Sequence, residues 1–216
     1  MWEQEKRIVF EASLELKAAG LITGSQGNIS TRFKDAGRYL VAITPSGIDY
    51  TAMDPADIAV VDASGDLIEG TRKPSIETML HLAVYARRDD AGAIIHSHSI
   101  YATALAVSVE SIPPILDDQV FYLGGEIAVA RHALPGSGEL AQIVATTLGD
   151  KNAVLMSNHG ALAVGGTMNE ALFNCLLLER LSQVYIYSHM LGSSRELPPE
   201  VIKKERQMFT GGGTSI

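Results

Sequence analysis

Two periods run through the apolar positions of this chain. Ile8, Val9, Ala12, Leu16 and Ala19 recur on one side of a 3.6-residue helix, and Gly20 follows as a residue suited to a left-handed helix end, so the pattern predicts a first helix ending there. Beyond it, short runs bounded by turn residues predict strands at Asn28-Ile29-Ser30 and over 39–43, with Lys34-Asp35-Ala36-Gly37 as their turn. A second hairpin is expected from residues 58–61 and Leu67-Ile68, joined through Asp62-Ala63-Ser64-Gly65-Asp66. Pro74 and Ser75 then introduce a helix to about Arg88, with Ser75 as cap and Ile76, Met79, Leu80, Ala83 and Val84 as its inward residues. A strand over 93–98, a short helix over 99–107, a strand over 127–129 and a helix over 137–148 follow. Apolar runs at 153–156 and 161–164 flank Ser157-Asn158-His159-Gly160, and helices are expected over 168–190 and 199–208. The sum predicts an α/β protein with a central mixed or mostly antiparallel sheet between helices.

Composition narrows this picture. A chain of 216 residues that is 46% hydrophobic can bury one sizeable core, and no repeat or linker divides it, so one domain over 1–216 is expected, with a loose glycine-rich tail from about 209 that includes Gly211-Gly212-Gly213. The net charge of −8 speaks against nucleic acid or a membrane surface as partner, and an anionic substrate would need a local positive pocket. The single cysteine, Cys175, lies in an apolar helical pattern as a buried residue, which rules out a disulfide within the chain and suits a reducing compartment. With no apolar run of membrane-spanning length and no basic-then-apolar start, a cytoplasmic location is expected.

The chemistry-bearing residues change the picture most. In His96-Ser97-His98 the imidazoles stand two apart, and side chains alternate along an extended strand, so both rings emerge on one face and can share an ion. His159, at a strand break and followed by Gly160 where backbone must pass closely, completes three ligands with a fourth position open, which is the catalytic rather than the structural zinc pattern. The same spacing also fits hydrogen-bonded surface histidines. Glu77, in a first helical turn, can supply a fourth ligand, a base beside the site, or a surface charge favoured by the helix dipole. His81, one turn further on, is expected to pack or to support the site from behind.

Gly24-Ser25-Gln26-Gly27-Asn28-Ile29-Ser30 and Thr44-Pro45-Ser46-Gly47 join small residues, hydroxyls and an amide at strand ends. Their backbone N–H groups, with Ser75 at a helix N-terminus, could cradle a phosphate without lysine or arginine, although ordinary turns use the same residues. Neither loop has dinucleotide or P-loop spacing.

Taken in order, Gly27-Asn28-Ile29-Ser30, Thr44-Pro45-Ser46-Gly47-Ile48, Lys73-Pro74-Ser75-Ile76-Glu77, His96-Ser97-His98 and Ser157-Asn158-His159-Gly160 resemble the class II aldolase/adducin-head family over roughly residues 5 to 190. The resemblance implies a three-layer α/β/α sandwich with a central, mainly antiparallel sheet, assembled as a homotetramer with active sites at subunit interfaces. It implies that His96, His98 and His159 bind one Zn2+ per subunit, or Mn2+ or Co2+ in its place, and that Glu77 is the catalytic acid/base. It also implies that Gly27, Asn28, Ser46, Gly47 and Ser75 bind the phosphate of a sugar-phosphate substrate. The implied reaction is cleavage of a ketose phosphate of the fuculose 1-phosphate kind to dihydroxyacetone phosphate and an aldehyde, through a metal-stabilised enediolate. Sugar-phosphate 4-epimerisation and decarboxylation of a 3-oxo-acid phosphate use the same enediolate, and a non-catalytic adducin-like oligomerisation module uses the same fold. Two departures stand out. Ile76 replaces a second serine, which removes one phosphate donor, and Asp117-Asp118-Gln119 and Phe209-Thr210-Gly211 stand where the family aldolase carries tyrosines. The protonating partner is thereby left open among Asp117, Asp118, Tyr122 and a tail residue.

Overall fold

The computed structural model describes residues 1–210. Its elements, in chain order, are α1 (Glu3–Ala18), β1 (Asn28–Asp35), β2 (Arg38–Ile43), β3 (Ala59–Asp62), β4 (Leu67–Glu69), α2 (Thr78–Tyr85), β5 (Ala93–Ser97) and α3 (Ile100–Ala106). They continue as β6 (Ser111–Ile112), β7 (Ile127–Ala130), α4 (Gly138–Leu148), β8 (Ala153–Met156), β9 (Gly160–Gly165), α5 (Met168–Met190) and α6 (Pro199–Thr210). The strands form one sheet in the order β4-β3-β2-β1-β5-β9-β8-β7-β6. Every neighbouring pair is antiparallel except β7 with β8.

Side-chain alternation explains the layers. Along β2, Val41 and Ile43 face one cluster while Leu40 and Ala42 face another, and Ala59 and Val61 of β3 divide from Val60 in the same way. One face of the sheet packs on α2 and α4 through Leu80, Val84, Leu140 and Val144. The opposite face packs on α1 and the first half of α5 through Val9, Leu16, Ala171 and Leu172, and on α3 and the rest of α5 through Leu105, Leu178 and Leu181. A sheet buried on both sides reads as continuous apolar runs, which is how β5, β8 and β9 appear in the sequence. The three-layer α/β/α sandwich with a mainly antiparallel sheet is the architecture observed.

Several local expectations need correction. The helix after Pro74 does not begin at Ser75 and stops at Tyr85 instead of Arg88. Pro45 and Pro74 pair as a β-bridge, and Ser75 N–H donates to the Thr44 carbonyl at 3.1 Å, so tertiary pairing keeps the backbone extended past the point where a cap is expected. Glu77 takes the cap position, and the helix phase shifts with it. Ile76 and Met79, expected inward, are 66% and 46% exposed, whereas Thr78, His81 and Tyr85 are buried. Phe209 belongs to α6 and not to a loose tail, and Gly211-Gly212-Gly213 lie outside the described residues. The strand β6 and the helical turns at 50–52, 55–57 and 119–123 carry no period long enough to read. Among the described residues, no helix is long and apolar enough to cross a membrane.

Candidate metal centre and active site

Three neighbouring strands carry the site. Asn28 of β1 lies opposite His96 of β5, and Ser97 lies opposite Ala161 of β9. Met156 pairs with Gly160 across the β8–β9 hairpin, which leaves Ser157, Asn158 and His159 as its turn. Asn158 takes the left-handed conformation the turn needs (φ 56°), a role asparagine fills because its short polar side chain tolerates that region. His98 lies just past β5, between the strand and α3, whose first N–H groups are held by a carboxylate from α5: Glu179 accepts from Tyr101 N at 3.0 Å and Ala102 N at 2.9 Å. Two glycines let the backbones close in. A Cβ at Gly160 would stand 2.4 Å from the Ser97 carbonyl and 3.2–3.3 Å from the rings of His98 and His96. At Gly27, with φ 73°, a Cβ would stand 2.5 Å from the His96 carbonyl, and the buried Tyr50 hydroxyl donates to the Gly27 carbonyl at 2.7 Å, fixing that loop.

The three histidines converge. His96, His98 and His159 each offer a ligand atom, all within 4.8 Å of one another. His96 Nδ1 stands 2.9 Å from the Ala161 carbonyl, which can only accept, so that nitrogen carries a hydrogen and Nε2 is the ring atom turned toward the centre. That Nε2 faces His98 Nε2 at 2.9 Å and Glu77 Oε2 at 3.2 Å, while Glu77 Oε1 stands 3.6 Å from His159 Nε2. Burial, joined by the charge on His96, depresses the pKa of His98 to about 4 and lowers that of His159, so both rings are neutral and ligand-ready at neutral pH. For Glu77, burial raises the pKa, but the bond and charge of His96, the Asn28 amide and the charge of His159 outweigh it and bring it down to about 2. The carboxylate is 4% exposed, and its Oε1 has no hydrogen-bond partner. Lone pairs and a buried carboxylate that face one another with an orphan oxygen are costly unless a cation sits among them, so this donor set fits a divalent metal.

The phosphate-binding candidates are placed unevenly. Asn28 is drawn into the centre, its Nδ2 donating to Glu77 Oε2 at 2.9 Å and its Oδ1 meeting His81 Nε2 at 2.6 Å. Ser75 Oγ accepts from Glu77 N at 3.2 Å, which leaves its hydroxyl hydrogen for another acceptor. Ser46 and Gly47 are exposed on the neighbouring loop, tied to the Ser75 segment by Ser46 N donating to the Lys73 carbonyl at 3.0 Å. Asp117 and Asp118 do not join this group. They are exposed beside α6, where burial first and their charges second raise the pKa of Glu205. Tyr122 packs edge-on against Phe173 of α5, with ring centroids 4.8 Å apart. Sequence reasoning expects His81 to pack or to support the site from behind but passes over Tyr50 and Tyr85, although Glu77, His81 and Tyr85 recur four apart, the spacing of a single helix face.

Comparison with known proteins agrees with this geometry. Residues 7–186 match the family described as Class II Aldolase and Adducin N-terminal domain. The chain is 30% identical over 211 residues to the 5-deoxy-D-ribulose 1-phosphate aldolase of Bacillus thuringiensis serovar kurstaki, covering 98% of each chain. Among solved structures it resembles an L-fuculose 1-phosphate aldolase at 34% identity with a TM-score of 0.90, covering 96% of each chain. It also resembles the L-fuculose-1-phosphate aldolase of Thermus thermophilus at 30% identity with a TM-score of 0.74, covering 88% of this chain and 97% of the other. A match of this length, together with three histidines and a glutamate meeting at one point, makes the chain a member of the class II aldolase and adducin family.

Proposed function

We propose that the protein is a class II aldolase, a metal-dependent carbon–carbon lyase that splits a ketose 1-phosphate into dihydroxyacetone phosphate and an aldehyde. The observation that carries this reading is the meeting of three imidazole nitrogens with the orphan oxygen of a buried carboxylate. Relatives named for cleavage of fuculose and deoxyribulose 1-phosphates support the substrate class. His96, His98 and His159 would hold the cation, and three neutral imidazoles with no thiolate favour zinc. A divalent cation in this position supplies positive charge against the oxyanion that develops as the carbon–carbon bond breaks, so no Schiff-base lysine is required.

The protein's own groups do the rest. Glu77, ionised at neutral pH, removes a proton from the carbon beside the substrate carbonyl in the condensation direction and returns it to that carbon in cleavage. The backbone of Gly27, Asn28 and Gly47 and the hydroxyls of Ser46 and Ser75 receive the phosphate as neutral donors. Ile76, exposed where the resemblance expects another hydroxyl, narrows that donor set. Exposed Ile76, Ile100 and Leu134 support burial between copies of the chain, as a homotetramer with sites between subunits requires. The enzyme works as one domain in the cytoplasm.

The test has three parts. Metal analysis of the purified protein is expected to find one zinc per chain, lost in His98→Ala. Incubation with a panel of ketose 1-phosphates and 5-phosphates is expected to release dihydroxyacetone phosphate from the 1-phosphates. Glu77→Gln should keep the metal and abolish cleavage, and an epimer or carbon dioxide as the only product, or turnover retained by Glu77→Gln, would reject the assignment.

A further inference from the structure

Behind the carboxylate lies a chain of buried polar groups that the proposed reaction does not touch directly. Asn28 and Ser30 stand two apart on β1 and so face the same way, and Glu77, His81 and Tyr85 stand four apart along α2 and its cap. The two periods mesh. Asn28 Nδ2 donates to Glu77 Oε2 at 2.9 Å, His81 Nε2 meets Asn28 Oδ1 at 2.6 Å, His81 Nδ1 meets Ser30 Oγ at 2.6 Å, and Ser30 Oγ meets the Tyr85 hydroxyl at 2.8 Å. Asn28, Ser30, His81 and Tyr85 are all buried.

The carboxylate fixes every direction in this chain. Ionised Glu77 can only accept, so the Asn28 amide must turn its NH2 toward it. The Asn28 oxygen then points at His81, whose Nε2 must carry the hydrogen. A neutral ring has one N–H, so Nδ1 accepts from the Ser30 hydroxyl, and the one hydrogen of the Tyr85 hydroxyl faces both Ser30 Oγ at 2.8 Å and the Ser30 carbonyl at 3.2 Å. The opposite tautomer would invite Asn28 to flip and would set its oxygen against the carboxylate oxygen. In a buried chain, such a reversal leaves acceptor facing acceptor and no water to repair it.

We infer that His81 is a positioning residue: as the Nε2–H tautomer it locks the Asn28 amide, and the locked amide holds the Glu77 carboxylate in place for proton transfer. The catalytic consequence rests on the aldolase reading, while the tautomer and the locked amide do not. Asn28, committed at both ends of its side chain, serves Glu77 with that side chain and is left with its backbone for substrate.

Nitrogen-15 spectra of the full-length, metal-loaded protein labelled at histidine test the first step. The expected signature for His81 is a protonated Nε2 and a pyridine-like Nδ1, and the reverse assignment overturns the inference whatever the turnover. Two variants test the second. His81→Leu removes the donor, and His81→Gln keeps an amide N–H toward Asn28 and an oxygen toward Ser30. In His81→Leu, solvent exchange of the Asn28 side-chain amide should speed up, and kcat should fall about 10- to 100-fold, the usual effect of losing a group that orients an active-site residue, with KM unchanged. His81→Gln should recover most of both. Slow amide exchange and wild-type kcat in His81→Leu, or a loss of kcat that His81→Gln does not recover in a folded protein, overturns the positioning role. If wild-type protein turns over no sugar phosphate, the aldolase reading fails, and the tautomer and amide exchange still decide whether His81 locks Asn28.

Discussion

Gly160 shows how little freedom single positions have here. A methyl group there meets the Ser97 carbonyl at 2.4 Å, and relief requires that β5 and β9 part at the point where His96 and His98 emerge. Gly160→Ala is therefore expected to cost about 1–3 kcal/mol in urea unfolding and to weaken metal binding, since overpacking a tight contact strains both partners. Gly138→Ala, at the first residue of α4 with open space around the built Cβ, should instead be neutral or stabilising by about 0.4–1 kcal/mol. His81 governs a pH effect. Burial first, and the charge of His96 second, depress its pKa from 6.5 to about 3, while Glu77 opposes them. The unfolded chain then binds a proton below pH 6.5 that the folded chain refuses until about pH 3, so stability falls as pH falls through that window. The share of His81 in this loss is at most ~1.4 kcal/mol per pH unit. His98 and His159, also depressed, add to the slope, whereas Glu77, whose carboxyl ordinarily titrates near 4.5, adds only at more acid pH. Urea midpoints measured from pH 7 to 5 should fall less steeply in His81→Gln than in wild type, and parallel slopes would refute the neutral buried ring.

Among the elements, α3 depends on a borrowed cap. Ser99 gives no side-chain cap to α3, and Glu179 of α5 takes the first N–H groups instead, so a helix of Ile100–Ala106 starts within two residues of His98 because a distant carboxylate holds it. Glu179→Ala should destabilise the protein by about 1–2 kcal/mol and loosen metal affinity about 10-fold or more, read by chelator competition. Glu179→Gln, which keeps one acceptor oxygen, should lose less. This cap also marks the limit of what the sequence discloses. Helices α1, α4 and α5 and the apolar strands were legible because their periods run long enough to outvote neighbours, and the gathering of three histidines was legible because His96 and His98 stand two apart at the end of β5 and His159 occupies a turn. The start of α2 was not, because the Pro45–Pro74 bridge that delays it joins segments distant in sequence. The same holds for Glu179 over α3 and for the side-by-side placement of Asn28 and His81. Asp117 and Asp118 suggest chemistry by residue type alone, and within the chain their charged neighbour is Glu205, a long-range placement that no local pattern carries.

For the molecule as a whole, the centre is a junction between parts that pack on opposite faces of the sheet. Glu77 precedes α2, which packs on one face of the sheet, while His98 precedes α3, which packs on the other, and His159 closes the β8–β9 hairpin. Without a cation this junction holds the buried Glu77 carboxylate with an orphan oxygen beside buried His96 and half-buried His98 and His159, and that unpaired oxygen opposes folding. A metal that binds the folded chain and not the unfolded one reverses the balance, adding about 2.7 kcal/mol at a free concentration of 100 times its Kd. For a chain of this size that corresponds to roughly 5–10 °C in Tm. Thermal melts in added zinc, and again after chelation, should therefore separate by about that interval. His98→Ala should melt at one temperature under both conditions. Glu77→Gln, which leaves all three imidazoles in place, should keep the separation, and a wild-type Tm indifferent to zinc would remove the metal from the account of this fold and of its chemistry together.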